Sequence, residues 1–179
     1  MNNATAIIVV VALVLVAFLA WSWLRRRERG AYRDRFGPEY ERLERRVGAG
    51  RAAKELKERA RRVEKMPIHP LPPEERSRFA VQWREQQARF VDDPRGAVTE
   101  ADRLVSDVMR ARGYPVSDFE QRAADISVDH PRVVQNYRAA HDIARRHERG
   151  QASTEDLRGA MIYYRALFEE LLEDRPAAR

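Results

Sequence analysis

The chain contains no cysteine, which excludes disulfide staples, thiolate metal sites and thiol nucleophiles. Histidine occurs only four times and never in a metal-ligand spacing. His147-Glu148 opens an H-E-x-x-H string, but position 151 is Gln, so the zinc-protease pattern fails. No histidine has Glu three residues before it, which removes the di-iron bundle signature. The eight glycines stand singly at segment ends or flank Ala49, so no phosphate-cradling loop exists. No segment alternates apolar and polar residues for the length of a strand. Lysine is scarce as well, 3 against 31 arginines, a bias given no functional weight. The most consequential absence is of charge at one end: all 34 Lys and Arg and all 28 Asp and Glu follow Leu24.

What fills that uncharged end is an apolar run. From Ala4 to Leu24 the only polar residues are Thr5 and Ser22, and at about 1.5 Å per residue the run makes roughly 32 Å of helix, enough to span a bilayer core. A cleaved secretory signal would have a basic segment before the run and small residues after it. No Lys or Arg precedes Ala6, and the bulky Trp21 and Trp23 follow. The pattern therefore predicts an uncleaved anchor whose tryptophans sit at the membrane interface. Arg25, Arg26, Arg27 and Arg29 follow directly, and basic flanks mark the cytoplasmic side, so the N-terminus is expected outside and the body in the cytoplasm. The span has no small-xxx-small pattern and no ionisable residue, which makes it a tether rather than a helix-packing seam or transport path.

Residues 25–65 hold 16 basic and 8 acidic side chains, whereas residues 66–179 hold 18 and 20. The positive excess is thus confined to a neck beside the expected membrane. Tyr32, Phe36, Tyr40, Leu43 and Val47 recur at helical spacing, and Leu56, Ala60 and Val63 continue after the break at Gly48 to Gly50. Gly37-Pro38 interrupts the first of these helices, with Pro38 at a first helical position. Such a neck suits topology with loose contact to anionic lipid headgroups. A partner helix docking on the aromatic stripe and nucleic-acid binding are the competing readings; Glu28, Asp34, Glu39, Glu41 and Glu44 interrupt the basic run and count against nucleic acid. Residues 66–73, MPIHPLPP, carry four prolines and read as an extended, semi-rigid spacer in which His69 is a solvent-exposed or packing histidine rather than a metal ligand.

Beyond the spacer, punctuation is regular. Pro73 opens a helix with Phe79, Trp83 and Phe90 on one face. Asp93-Pro94 caps and opens a second, burying Val98, Ala101, Leu104, Val105 and Val108, and Gly113 stops it. Ser117 and Glu120 have capping-box spacing for a short helix to about Ser127. His130-Pro131 starts a fourth, presenting Val133, Val134, Tyr137, Ala140, His141 and Ala144, which Gly150 ends. The last begins at Ser153 or Thr154 and buries Leu157, Met161, Tyr164, Leu167, Phe168 and Leu171. The fold class is all-α: an N-terminal transmembrane helix (1–24), basic juxtamembrane helices (25–65), the spacer (66–73), a bundle of four to five helices (74–174) and a disordered tail (175–179).

Chemistry-bearing residues are densest between 112 and 131, where Asp118, Glu120, Arg122, Asp125, Asp129 and His130 cluster. Asp118, Arg122 and Asp125 fall on one helical face, which would suit a carboxylate site with His130 as base. The structural alternative, which we favour, makes Arg122 the partner of both aspartates and Asp129 a cap. His141 reads as a core-edge histidine, and the aromatic residues as core.

RFGPEYER at 35–42, RGYPVSDFEQRAADISVDHP at 112–131, YRAAHDIA at 137–144 and STEDLRGAMIYYRALFEELLE at 153–173 resemble a family of small, single-pass bacterial membrane proteins, chiefly actinobacterial and uncharacterised. That resemblance implies bacterial origin and an inner-membrane address, and brings no catalytic residue. The expected function is a non-enzymatic, membrane-tethered interaction domain with no cofactor, a protein partner and a lipid surface; the alternative is an enzyme or small-ligand domain using the 118–130 cluster.

Overall fold

The computed structural model describes residues 3–115 and 117–173; in its first helix the side chains of residues 3–12, 14, 25, 26, 28 and 29 fall outside that description. The described residues form helices and no strand, so the chain is all-α. In order they are α1 Asn3–Phe36, α2 Pro38–Val47, α3 Ala49–Val63, α4 Pro73–Arg89, α5 Pro94–Ala111, α6 Phe119–Asp129, α7 Val134–Glu148 and α8 Thr154–Leu172. They divide into two compact units, Met1–Leu56 and Lys57–Arg179, with the boundary inside α3. The expected tail at 175–179 lies outside the described residues.

In the first unit, α1 runs unbroken from the apolar segment into the basic neck. Among the described residues no helix is long and apolar enough to cross a membrane; within the run that carries the spanning expectation, the side chains of residues 4–12 and 14 lie outside the description. The helix stops at Gly37, and Pro38 opens α2 as its missing N–H allows. The stripe expected along this segment is buried at Phe36, Tyr40 and Leu43, and Ala52 and Leu56 of α3 are buried as well. Arg33 pairs with Glu44 at 3.3 Å and Arg46 with Glu55 at 3.3 Å, exposed pairs that add little beside the apolar burial.

The second unit is a five-helix bundle centred on α8, which packs on both α5 and α7, while α4 lies on α5 and α6 on α7. Its core holds most of the apolar set predicted from periodicity, with Phe79 and Trp83, then Val98 to Val108, Val134, Tyr137 and Ala140, and Leu157 to Leu171; Met109, Ile143 and Ala160 join it unpredicted, while Phe90, Val133 and Ala144 lie only partly buried against it. Asp93 caps α5 by accepting from the Gly96 N–H at 2.9 Å, and Ser153 and Asp156 form a reciprocal capping box on α8.

Two helix starts differ from expectation. The cap of α6 is Asp118, which accepts from the Gln121 N–H at 2.9 Å, and not Ser117. Both residue types cap well, but a carboxylate also complements the positive helix end. Helix α7 begins at Val134 because 131–133 form a turn; His130 instead closes α6, its N–H donating to the Ile126 carbonyl at 2.8 Å.

The proline-rich segment is extended, as its composition requires, yet it is packed rather than free. Leu71 enters the core and Met66 and Ile68 lie against it. The exposed His69 donates its N–H to the Arg112 carbonyl at 3.0 Å, and the Arg112 Nη1 donates to the Leu171 carbonyl at 2.8 Å. One arginine thus joins the spacer, the end of α5 and the negative end of α8. Close approach depends on Gly113, whose φ is +93° and whose hydrogen faces the Pro67 carbonyl. A Cβ there would collide with that oxygen, so Gly113→Ala should cost about 2 kcal/mol or more in chemical denaturation, whereas Gly150→Ala, with open space around it, should cost less.

Candidate functional site

Helix α6 explains why the 118–130 segment is so rich in polar residues. Six consecutive residues, Ala123 to Val128, are buried, so the helix is enclosed on every side. A helix in that position must satisfy each polar side chain internally. Asp125, 2% exposed, does so through one carboxylate oxygen: its Oδ1 accepts from Arg62 Nε at 2.9 Å, Arg62 Nη2 at 2.6 Å and Gln121 Nε2 at 2.8 Å. Ser127 donates to the Ala124 carbonyl at 2.6 Å and accepts from Arg59 Nη1 at 3.4 Å. The last turn of α3 is therefore fastened to α6 by two arginines.

The other members of the segment point to separate places. Asp118 is an exposed cap. Glu120 meets Arg138 at 3.4 Å. Asp129 accepts from the Tyr114 hydroxyl at 2.8 Å, and burial together with that carboxylate pushes the Tyr114 phenol far above its usual range. His130 Nδ1 lies 3.3 Å from Glu170 Oε1. Arg122 does not pair with Asp118 or Asp125 as expected: it turns to α5 and donates to Ser106 Oγ at 2.8 Å. The one-face spacing of Asp118, Arg122 and Asp125 is real, but each is drawn off by a different neighbour, and the six do not converge.

Convergence occurs elsewhere. Asp102 and Ser106 of α5, Arg122 of α6, Tyr137 and His141 of α7 and Tyr164 of α8 influence one another electrostatically across the bundle. Tyr137 and Tyr164 are fully buried, and burial first, then the Asp102 carboxylate, raises both phenols beyond any physiological titration. Their hydroxyls, Asp102 Oδ1 and Arg122 Nε have no aligned hydrogen-bond partner within the protein. The Phe119 ring stacks on His141 at 3.6 Å and covers one edge. Periodicity assigned the two tyrosines to the core; their hydroxyls, which an apolar core cannot satisfy, were the signal for a polar centre.

A third feature is open to solvent. Helices α4 and α8 both rest on α5 and meet through Trp83 stacked on Phe168 at 4.7 Å. Between them lies an open groove of about 160 Å³, lined by the apolar Trp83, Phe90, Met161 and Ile162 together with Gln87, Arg158 and Arg165. Ile162 is 52% exposed. Its place on α8, one residue off the core stripe, is the sequence signal for this face. Of the expected interface residues at the other end, Trp21 and Trp23 are exposed and Arg27 lies 5.5 Å from the Trp23 ring centre, while Arg25, Arg26 and Arg29 fall outside the described side chains. Among the described residues no three His, Asp or Glu side chains lie together as a metal site would require.

No family model, no curated protein and no solved structure matches this chain.

Removing Arg62 leaves the Asp125 carboxylate buried with Gln121 as its remaining partner. Arg62→Ala should cost about 2 kcal/mol in urea unfolding, below the roughly 3–5 kcal/mol of a fully buried pair because the arginine is itself 42% exposed. Asp118→Ala, a lost cap, should cost about 1 kcal/mol.

The buried His130 and the half-buried His141 resist protonation. Burial lowers His130, with Glu170 opposing, and burial likewise lowers His141. The unfolded chain takes up these protons near the ordinary histidine value, so stability is fully present above about pH 6.5 and is lost as pH falls below it. The melting temperature should drop between pH 7 and pH 5, and the drop should shrink in a His130→Gln, His141→Gln chain.

Proposed function

We propose that this protein is a membrane-tethered helical domain that presents a protein-interaction surface to the cytoplasm and performs no catalysis of its own. The α4–α8 groove is the observation that carries this reading: it leaves apolar side chains open between two helices, beside a completed core, where a partner segment can lie. The tether rests on the sequence, on the uncharged residues 4–24 followed by four arginines. Exposed Arg45, Arg46, Arg51 and Arg61 on α2 and α3 suit a neck in loose contact with anionic headgroups of a bacterial inner membrane. The enzymatic alternative at 118–130 has less behind it, since those side chains are held apart in structural roles.

Because the chain lacks cysteine, one introduced thiol reports on one place. With Ile162→Cys in cell membranes, a membrane-impermeant maleimide should react only after permeabilisation, and a thiol-anchored photo-crosslinker should join position 162 to a protein. Glu148→Cys, equally exposed but outside the groove, should give no such adduct. Recovery of the chain in the soluble fraction, labelling of intact cells, or equal adducts from the two positions would overturn the reading.

A further inference from the structure

We propose that the groove is closed by a second copy of this chain in a two-fold pair, an inference that rests on the interaction reading and names the partner. The complement of the groove sits beside it. Phe90, which lines the groove, is followed by Val91, 81% exposed, and by the exposed Asp92. The Asp92 N–H turns back to the Arg89 carbonyl at 3.1 Å, and Asp93 is held by the Gly96 N–H and by Arg89 Nη2 at 2.7 Å. The turn that displays Val91 is thus fixed rather than loose.

That turn is an apolar knob with a carboxylate next to it, and the groove is an apolar slot with two guanidiniums along it. Arg158 and Arg165 stand seven residues apart on α8, about 10 Å along one face. Each is engaged only by its own helix: Arg158 with Glu155 at 2.8 Å, Arg165 with Glu169 at 3.8 Å, with all four side chains substantially exposed. Pairs of that kind are worth little and exchange readily for an incoming carboxylate. Apolar character and charge therefore match between knob and slot.

Their adjacency supplies the symmetry. When a surface carries a knob and its own slot side by side, a two-fold rotation seats both knobs at once and leaves no slot open, so assembly stops at two. Val91 of one copy would sit on Met161 and Ile162 of the other, with Asp92 facing Arg158 and Arg165. A tether holding both copies in one membrane raises their effective concentration and favours the pairing.

The test uses the full chain in detergent micelles or nanodiscs. Val91→Cys chains mixed with Ile162→Cys chains should form a mixed disulfide in higher yield than either variant alone, or than Val91→Cys mixed with Glu148→Cys. Asp92→Arg, and separately Arg158→Asp with Arg165→Asp, should each raise the dimer dissociation constant about tenfold or more by sedimentation. Combining all three reversals in one chain should restore it to within about threefold. All three positions are exposed, so unchanged melting temperatures will show that each variant folds. A monomeric wild-type chain, reversals without effect, or a failed restoration overturns the pairing. If position 162 still crosslinks to a different protein in membranes, the interaction reading stands without the dimer; if it crosslinks to nothing, both fall.

Discussion

A carboxylate placed inside a protein must be met by donors, and in this chain that requirement organises the middle of the fold. Asp125 lies on a helix enclosed on all sides, and the donors that reach it come from Gln121 one turn before and from Arg62 in the neck. The last turn of α3 is consequently part of the body. With Arg62 and Arg59 in place, α6 can sit against α7, and its buried Ile126 and Ala123 complete the apolar core. Without them, a short helix carrying a buried aspartate and serine would be a poor core element. Two of the basic residues that look like membrane or nucleic-acid contacts are in this sense internal donors, Arg62 to an aspartate and Arg59 to a serine.

The same logic recurs at Arg112. Its side chain satisfies a carbonyl at the end of α8, where the helix dipole favours positive charge. Its backbone carbonyl accepts from His69 in the proline-rich segment. Prolines cannot supply their own N–H groups, so a segment with four of them docks through side chains such as Leu71 and through the few amides left. The polar centre around Asp102 and the buried tyrosines follows a looser version of the rule: apart from Arg122 on Ser106, its groups share a neighbourhood without pairing off in aligned bonds.

Much of the fold was legible in the sequence. Pro73, Asp93-Pro94, Gly113 and Ser153 mark helix ends through local backbone chemistry that needs no tertiary knowledge, and the 3.6-residue period placed Leu104, Val108, Leu157 and Phe168 correctly in the core. What local pattern cannot give is the identity of the facing helix. The spacing of Asp118, Arg122 and Asp125 suggested pairing along one face, but Asp125 finds its arginine 63 residues away and Arg122 finds a serine on α5. The cap of α6 was missed by one position because Ser117 and Asp118 are adjacent and both suited to the role. Periodicity puts Ile162 just off the core stripe but cannot show the groove itself, which arises from how α4 and α8 straddle α5.

Trp83 gives the groove an optical consequence. Of the three tryptophans, it alone lies outside α1, and its indole is stacked on Phe168 while its other edge lines an open cleft. Trp83 is only 5% exposed, so an occupant would remove the last water at that ring and move its emission slightly to the blue without any added dye. In a chain whose Trp21 and Trp23 are both phenylalanine, the remaining tryptophan fluorescence would come from Trp83, so the protein carries a built-in gauge of whether this cleft is filled.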